Sequence, residues 1–189
     1  MDKLKRQSKF TVENVNNSGS LEFSKIDIDA DYRKKWNINE NDFFCLTKNG
    51  KLVRETLYRK GGLNFPNLKA DSYFQLLKHV EAHYSDKILK MSKSDKPRHL
   101  ESRWCILDKE GNEKVELEAF QHAYLINDSQ IYSVNSKYYN VANGEFYCDS
   151  NKIMQSKEFI FLENTYDEDK SKRGIMKINK KNGEWELIP

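Results

Sequence analysis

Asp27, Asp29 and Asp31 alternate along the stretch IDIDAD. On an extended chain alternate residues share a face, and three carboxylates on one face make an oxygen-rich site for Mg²⁺ or Ca²⁺. A calcium-binding loop also needs a turn glycine and a distal glutamate at set spacing, and neither follows these acids. A metal-dependent nuclease would need further acids brought in from elsewhere in the chain. The plainer reading is a solvated strand face leading into a turn. His79, Glu81 and His83 form a second set. On a strand all three share a face; on a helix the two histidines fall at i and i+4. Either arrangement suits zinc, but the H-E-x-x-H pattern is absent and no third ligand stands at a fixed spacing. No metal, other cofactor or catalytic residue is expected.

A third set is electrostatic. Lys87, Lys90, Lys93, Lys96, Arg98 and Arg103 crowd one stretch, diluted by Asp86, Asp95 and Glu101. With Lys3, Lys5, Arg6 and Lys9 they could form a phosphate-binding patch for nucleic acid. The overall balance argues against it: 32 basic and 29 acidic residues leave a net charge of only +3, and basic loops are usually just solvated. The cysteines are Cys45, Cys105 and Cys148, an odd count without disulfide or zinc spacing, which indicates a reducing compartment. Cys105 sits in the apolar run WCIL, so burial is expected rather than nucleophilic reactivity. No glycine-rich phosphate loop or nucleophile-elbow motif occurs, and Gly61-Gly62 reads as a turn. The opening MDKLKRQSKF lacks the apolar core of a secretory signal, and no apolar run is long enough to span a bilayer. A cytoplasmic location with no membrane partner is expected.

The elements that must carry these residues read as strands. Four stretches share one build: FFCLTKNGKLV, RWCILDKEGNEKVEL, YYNVANGEFYC and GIMKINKKNGEWELI. Each is an apolar run, a polar corner with Gly50, Gly111, Gly144 or Gly183, and a second short run. Asn-Gly at three of these corners is a strong hairpin signal. Upstream, EFSKIDIDADY, YFQLLKHVEAHY and EFIFLENTY each read as a strand closing on tyrosine, followed by a charged loop. Residues 1–20 then form an N-terminal arm. One β-repeat domain at 21–189 has units near 21–66, 72–120, 121–150 and 157–189. Residues 72–91 also fit a helix, with Tyr73, Leu76, Leu77, Val80, Tyr84, Ile88 and Met91 at spacings of three and four. That is the α+β alternative; correspondence with the first and fourth units favours the strand.

In RWCIL, Trp104 and Ile106 point one way and Cys105 and Leu107 the other, so strands apolar on both faces imply sheets stacked on sheets. The expected fold is all-β, with antiparallel meanders stacked as a small propeller-like domain. RWCILDKEGNEKVEL resembles the WG-type hairpin repeats of bacterial proteins, with Cys105 where that family has glycine. The resemblance implies an interaction repeat without chemistry of its own. The expected function is therefore a non-enzymatic protein–protein interaction module. The expected setting is the immunity, defence or counter-defence of a bacterium or phage, with another protein as partner. The alternatives are a nucleic-acid-binding protein or nuclease using Asp27, Asp29 and Asp31, and a small-molecule binder in an enclosed channel.

Overall fold

The computed structural model describes residues 10–12, 19–59, 72–83, 98–118, 121–126, 129–165 and 167–188. Strands account for more than half of the described residues, with one α-helix among them, so the protein is all-β with a local helical exception. The chain divides into two compact units, Met1–Phe65 with Leu76–Arg103, and Pro66–Gln75 with Trp104–Pro189.

The first unit begins with β1 (Phe10–Val12), β2 (Leu21–Ser24) and β3 (Ile26–Ile28). Part of the expected arm is thus a strand, and β1 pairs antiparallel with β3. The run EFSKIDIDADY is not one strand. It breaks at Lys25, and β2 joins a different sheet from β3. The stretch expected as a charged loop then forms helix α1 (Ala30–Trp36). Asp29 caps it: its carboxylate accepts from the backbone N–H groups of Asp31 and Tyr32, and Asn37 ends the helix in the left-handed region. After a 3₁₀ turn at Glu40–Asp42 come β4 (Phe43–Lys48), β5 (Lys51–Leu52) and β6 (Leu57–Arg59). Ile26, Ile28, Phe43, Cys45 and Leu57 form this unit's core cluster, with Tyr32 of α1 packed against it.

The strands β7 (Tyr73–His83) and β8 (Arg98–Asp108) contribute residues to both units. Over Tyr73–His83 the helical alternative is overturned: Phe74, Leu76 and Lys78 are buried in strict alternation. The helical spacing is misleading because Lys78 occupies a buried strand position. With β9 (Glu113–Glu116) these strands complete a seven-stranded sheet in the order β2-β4-β6-β7-β8-β9, with β5 on β4. The stretches expected as two separate meanders at 21–66 and 72–120 therefore share one sheet.

The second unit continues with β10 (Ala123–Leu125), β11 (Ile131–Val134), β12 (Lys137–Asn140) and β13 (Phe146–Asp149), a four-stranded meander. A second meander follows: β14 (Ile153–Gln155), β15 (Phe159–Asn164), β16 (Gly174–Asn179) and β17 (Trp185–Ile188). Strand β14 lies in the stretch between the units expected at 121–150 and 157–189. The meanders stack. Ile131, Tyr138 and Cys148 of the first share a core with Ile160, Leu162, Met176 and Ile178 of the second. On its other side the first meander packs Ala123 and Tyr132 against Ile106 of β8 and Leu117, with Trp104 partly buried at the margin. Cys105, Ile106 and Leu107 are all fully buried, as a strand between two layers requires.

Three corners share one construction. Asp108, Asn140 and Asn179 each end a strand, and each donates its N–H across the corner, to the carbonyls of Asn112, Glu145 and Glu184 respectively. The carbonyls of Asp108, Asn140 and Asn179 accept in turn from the corner glycine N–H, and their side-chain oxygens accept from backbone N–H groups within the turn. The repeated element is thus a strand-terminal Asp or Asn placed three or four residues before the glycine.

Candidate functional site

The acids at 27–31 do not share a face. Asp27 is on β3, Asp29 is committed to capping α1, and Asp31 lies inside the helix. Helix formation reorients the third acid, which an uninterrupted strand would have kept in line. Among the described residues, no group of three or more His, Cys, Asp or Glu side chains is gathered closely enough to hold a metal.

His79, Glu81 and His83 all fall on β7, and the side chains of Glu81 and His83 lie outside the described residues. His79 is half-buried. Its Nε2 lies 3.0 Å from Ser102 Oγ, and Phe43 meets the ring edge-on at a centroid distance of 4.8 Å. Burial, aided by the positive charge of Arg59, pulls its pKa down from 6.5 to about 4. A serine beside an imidazole invites comparison with a nucleophile–base pair. However, Nδ1 is buried and has no hydrogen-bond partner among the described residues, so none of them orients the imidazole as such a pair requires.

Lys87, Lys90, Lys93 and Lys96 lie outside the described residues, as do Lys3, Lys5, Arg6 and Lys9. The expected basic loop ends earlier than Arg103, because Arg98 already begins β8. Arg103 pairs with Glu101 two residues away on the same strand, which offsets its charge locally. The three cysteines are buried, and none is in a disulfide. Burial pushes the Cys45 thiol up to about 11 and the Cys148 thiol up to about 12, so neither is a ready nucleophile.

A surface feature of defined shape lies on the last meander. Its inner face supplies Ile160, Leu162, Met176 and Ile178 to the core. The opposite, outer face follows from the strand register: Met154 stands beside Phe161, and Ile175 beside both Glu163 and Ile188. A groove of about 430 Å³ crosses this face, lined by Lys152, Met154, Phe161, Glu163, Thr165, Gly174 and Ile175. Gly174 shapes one end. It has φ +154°, and a Cβ there would stand 2.5 Å from the Ile188 carbonyl oxygen, so only glycine lets β17 approach so closely. Charged residues frame the apolar centre as cross-strand pairs: Lys152–Glu163 at 2.7 Å and Lys177–Glu186 at 2.6 Å. Lys177 Nζ also lies 4.4 Å over the Phe159 ring.

The sequence alone did not point to this groove. Met154 fell in a gap between expected units, and a three-residue strand is too short for a period to show. The informative signal was two-sided apolarity in FIFLE, where Phe159 and Phe161 alternate with Ile160 and Leu162. An apolar residue on both faces of a last layer leaves one of those faces uncovered. Among known proteins, no family model, curated protein or solved structure matches this chain.

Proposed function

We propose that the chain is a non-enzymatic protein-binding module whose binding face is the outer face of the β14–β17 sheet. One observation carries the reading. Among the described residues, seven large hydrophobic side chains are exposed, and three of them, Met154, Ile175 and Ile188, lie on this one face together with Phe161. The preceding meander packs against a layer on each side, whereas the outer face of the last one presents Met154, Phe161, Ile175 and Ile188 with no layer over them among the described residues. An apolar centre rimmed by ion pairs is the usual build of a protein-binding surface. A partner supplying an apolar face of its own would complete the stack.

The test is capture of binding partners from the native cell with the wild-type chain and with Ile175→Lys. Position 175 is exposed and neighbours Glu163, so the variant should fold. Loss of a specific protein partner with an unchanged melting temperature is the expected result. Retention of every partner by the variant, or recovery of nucleic acid alone, would refute the assignment of this face.

A further inference from the structure

The strand β14 offers a second surface, its backbone edge. Lys152 O accepts from Glu163 N, and Ser156 N donates to Phe159 O. Residues 152, 154 and 156 therefore direct their backbone groups toward β15, and alternation turns those of Ile153 and Gln155 away from the sheet. Nothing among the described residues pairs with that edge, because β14 is the first strand in the order β14-β15-β16-β17. All three of its side chains are exposed, Met154 at 64%.

The other edges of the larger sheets are protected. On β10, the Gln75 side chain stands in for a neighbouring strand, donating Nε2–H to Ala123 O at 2.7 Å and accepting from Leu125 N at 2.8 Å. Charged residues interrupt the rest: Asp149 on β13, Glu186 on β17, Glu22 on β2, and Glu113, Lys114 and Glu116 on β9. Such devices prevent edge-to-edge pairing. The strand Ile153-Met154-Gln155 has none of them.

We propose that β14 pairs antiparallel with β14 of a second copy of this chain, about a two-fold axis at Met154. This register sets Ile153 opposite Gln155 of the second copy, and the converse. Residues in such a pair exchange both backbone bonds, so every outward N–H and C=O of these residues is satisfied. Lys152 falls opposite Ser156 and Lys157 opposite Asn151, so no like charges meet. Met154 faces its own copy on the outer face beside Phe161, and two four-stranded sheets become one continuous sheet. The inference concerns the edge of β14 and stands apart from what the face binds.

Sedimentation velocity of the full chain over a wide concentration range should show a monomer–dimer equilibrium. Met154→Lys should yield monomer with an unchanged melting temperature, because it opposes two like charges at an exposed position. Met154→Cys should form a covalent dimer under mild oxidation, since Cα atoms in a non-hydrogen-bonded antiparallel pair lie about 4.5 Å apart, within disulfide reach. The native thiols are buried and do not compete. A wild-type chain that stays monomeric throughout overturns the proposal. So does a dimer that survives Met154→Lys, or a Met154→Cys variant that fails to cross-link. A monomer that still captures its partner through Ile175 sinks self-pairing alone and leaves the binding face intact.

Discussion

Tyr147 shows how a single residue holds two hairpin corners together. Its hydroxyl donates to Gly183 O at 2.8 Å and accepts from Asn140 Nδ2 at 2.9 Å. Tyr147→Phe leaves the amide hydrogen and the carbonyl unpaired in a buried place, at a cost of about 1–3 kcal/mol. Gly183 has φ +72°, and a Cβ there would collide with Asn140 Nδ2 and lie 2.9 Å from the Tyr147 hydroxyl. Gly183→Ala should therefore destabilise at least as much as Tyr147→Phe, and the urea midpoints of the two variants check this order. His79 gives a pH dependence. Its pKa drops on folding from 6.5 to about 4, so the unfolded chain binds more protons between those values. The contribution is complete above about 6.5 and is lost progressively as pH falls toward 4. Wild type should lose more stability than His79→Gln between about pH 7.5 and about pH 5. Equal losses in urea melts would show that His79 is not the source.

At the scale of elements, the hairpins were legible and the helix was not. Asn-Gly and Glu-Gly corners announce positive φ, and Gly50, Gly111, Gly144 and Gly183 all have it. The turn at Asn135-Ser136 has φ values of 51° and 65° without any glycine, so the hairpin it makes of β11 and β12 was invisible in the sequence. Helix α1 has no fully buried residue, and Tyr32 and Trp36 are its whole aromatic face; its clearest signal is Asp29 at the cap. That signal is ambiguous, because Asp-x-Asp-x-Asp fits an acidic, metal-binding strand face as readily as a helix start. Asp29→Ala should cost about 1 kcal/mol, the usual value of an N-cap, and the loss should be the same with or without added Mg²⁺ or Ca²⁺. A metal-dependent difference in melting temperature would revive the acidic site. At β10, Gln75→Leu removes the side chain that covers the edge and leaves Ala123 O and Leu125 N unpaired. Lower stability together with new concentration-dependent association is the expected outcome, and light scattering of the variant tests it.

Across the molecule, the feature that was readable from residues is burial on both faces of a strand. Trp104-Cys105-Ile106-Leu107 announced stacked layers, and stacked layers are what the second unit contains. What the residues could not convey was which strands share a sheet. The stretches at 21–66 and 72–120 merge because β6 pairs with β7, a long-range register that no hairpin signal encodes. The stack carries its own prediction. Ile160 is fully buried in a cluster drawn from both meanders, alongside Ile131, Tyr138 and Cys148 from one and Leu162, Met176 and Ile178 from the other. Ile160→Ala empties a site to which both sheets contribute, at about 2–5 kcal/mol. If the meanders form one cooperative layer pair, amide protection should fall in β10–β13 as well as in β14–β17, because opening either sheet exposes the shared core. Native-state hydrogen exchange on the variant decides this. Protection lost only from β14–β17 would mean that the last meander opens by itself and exposes its inner face independently of the first.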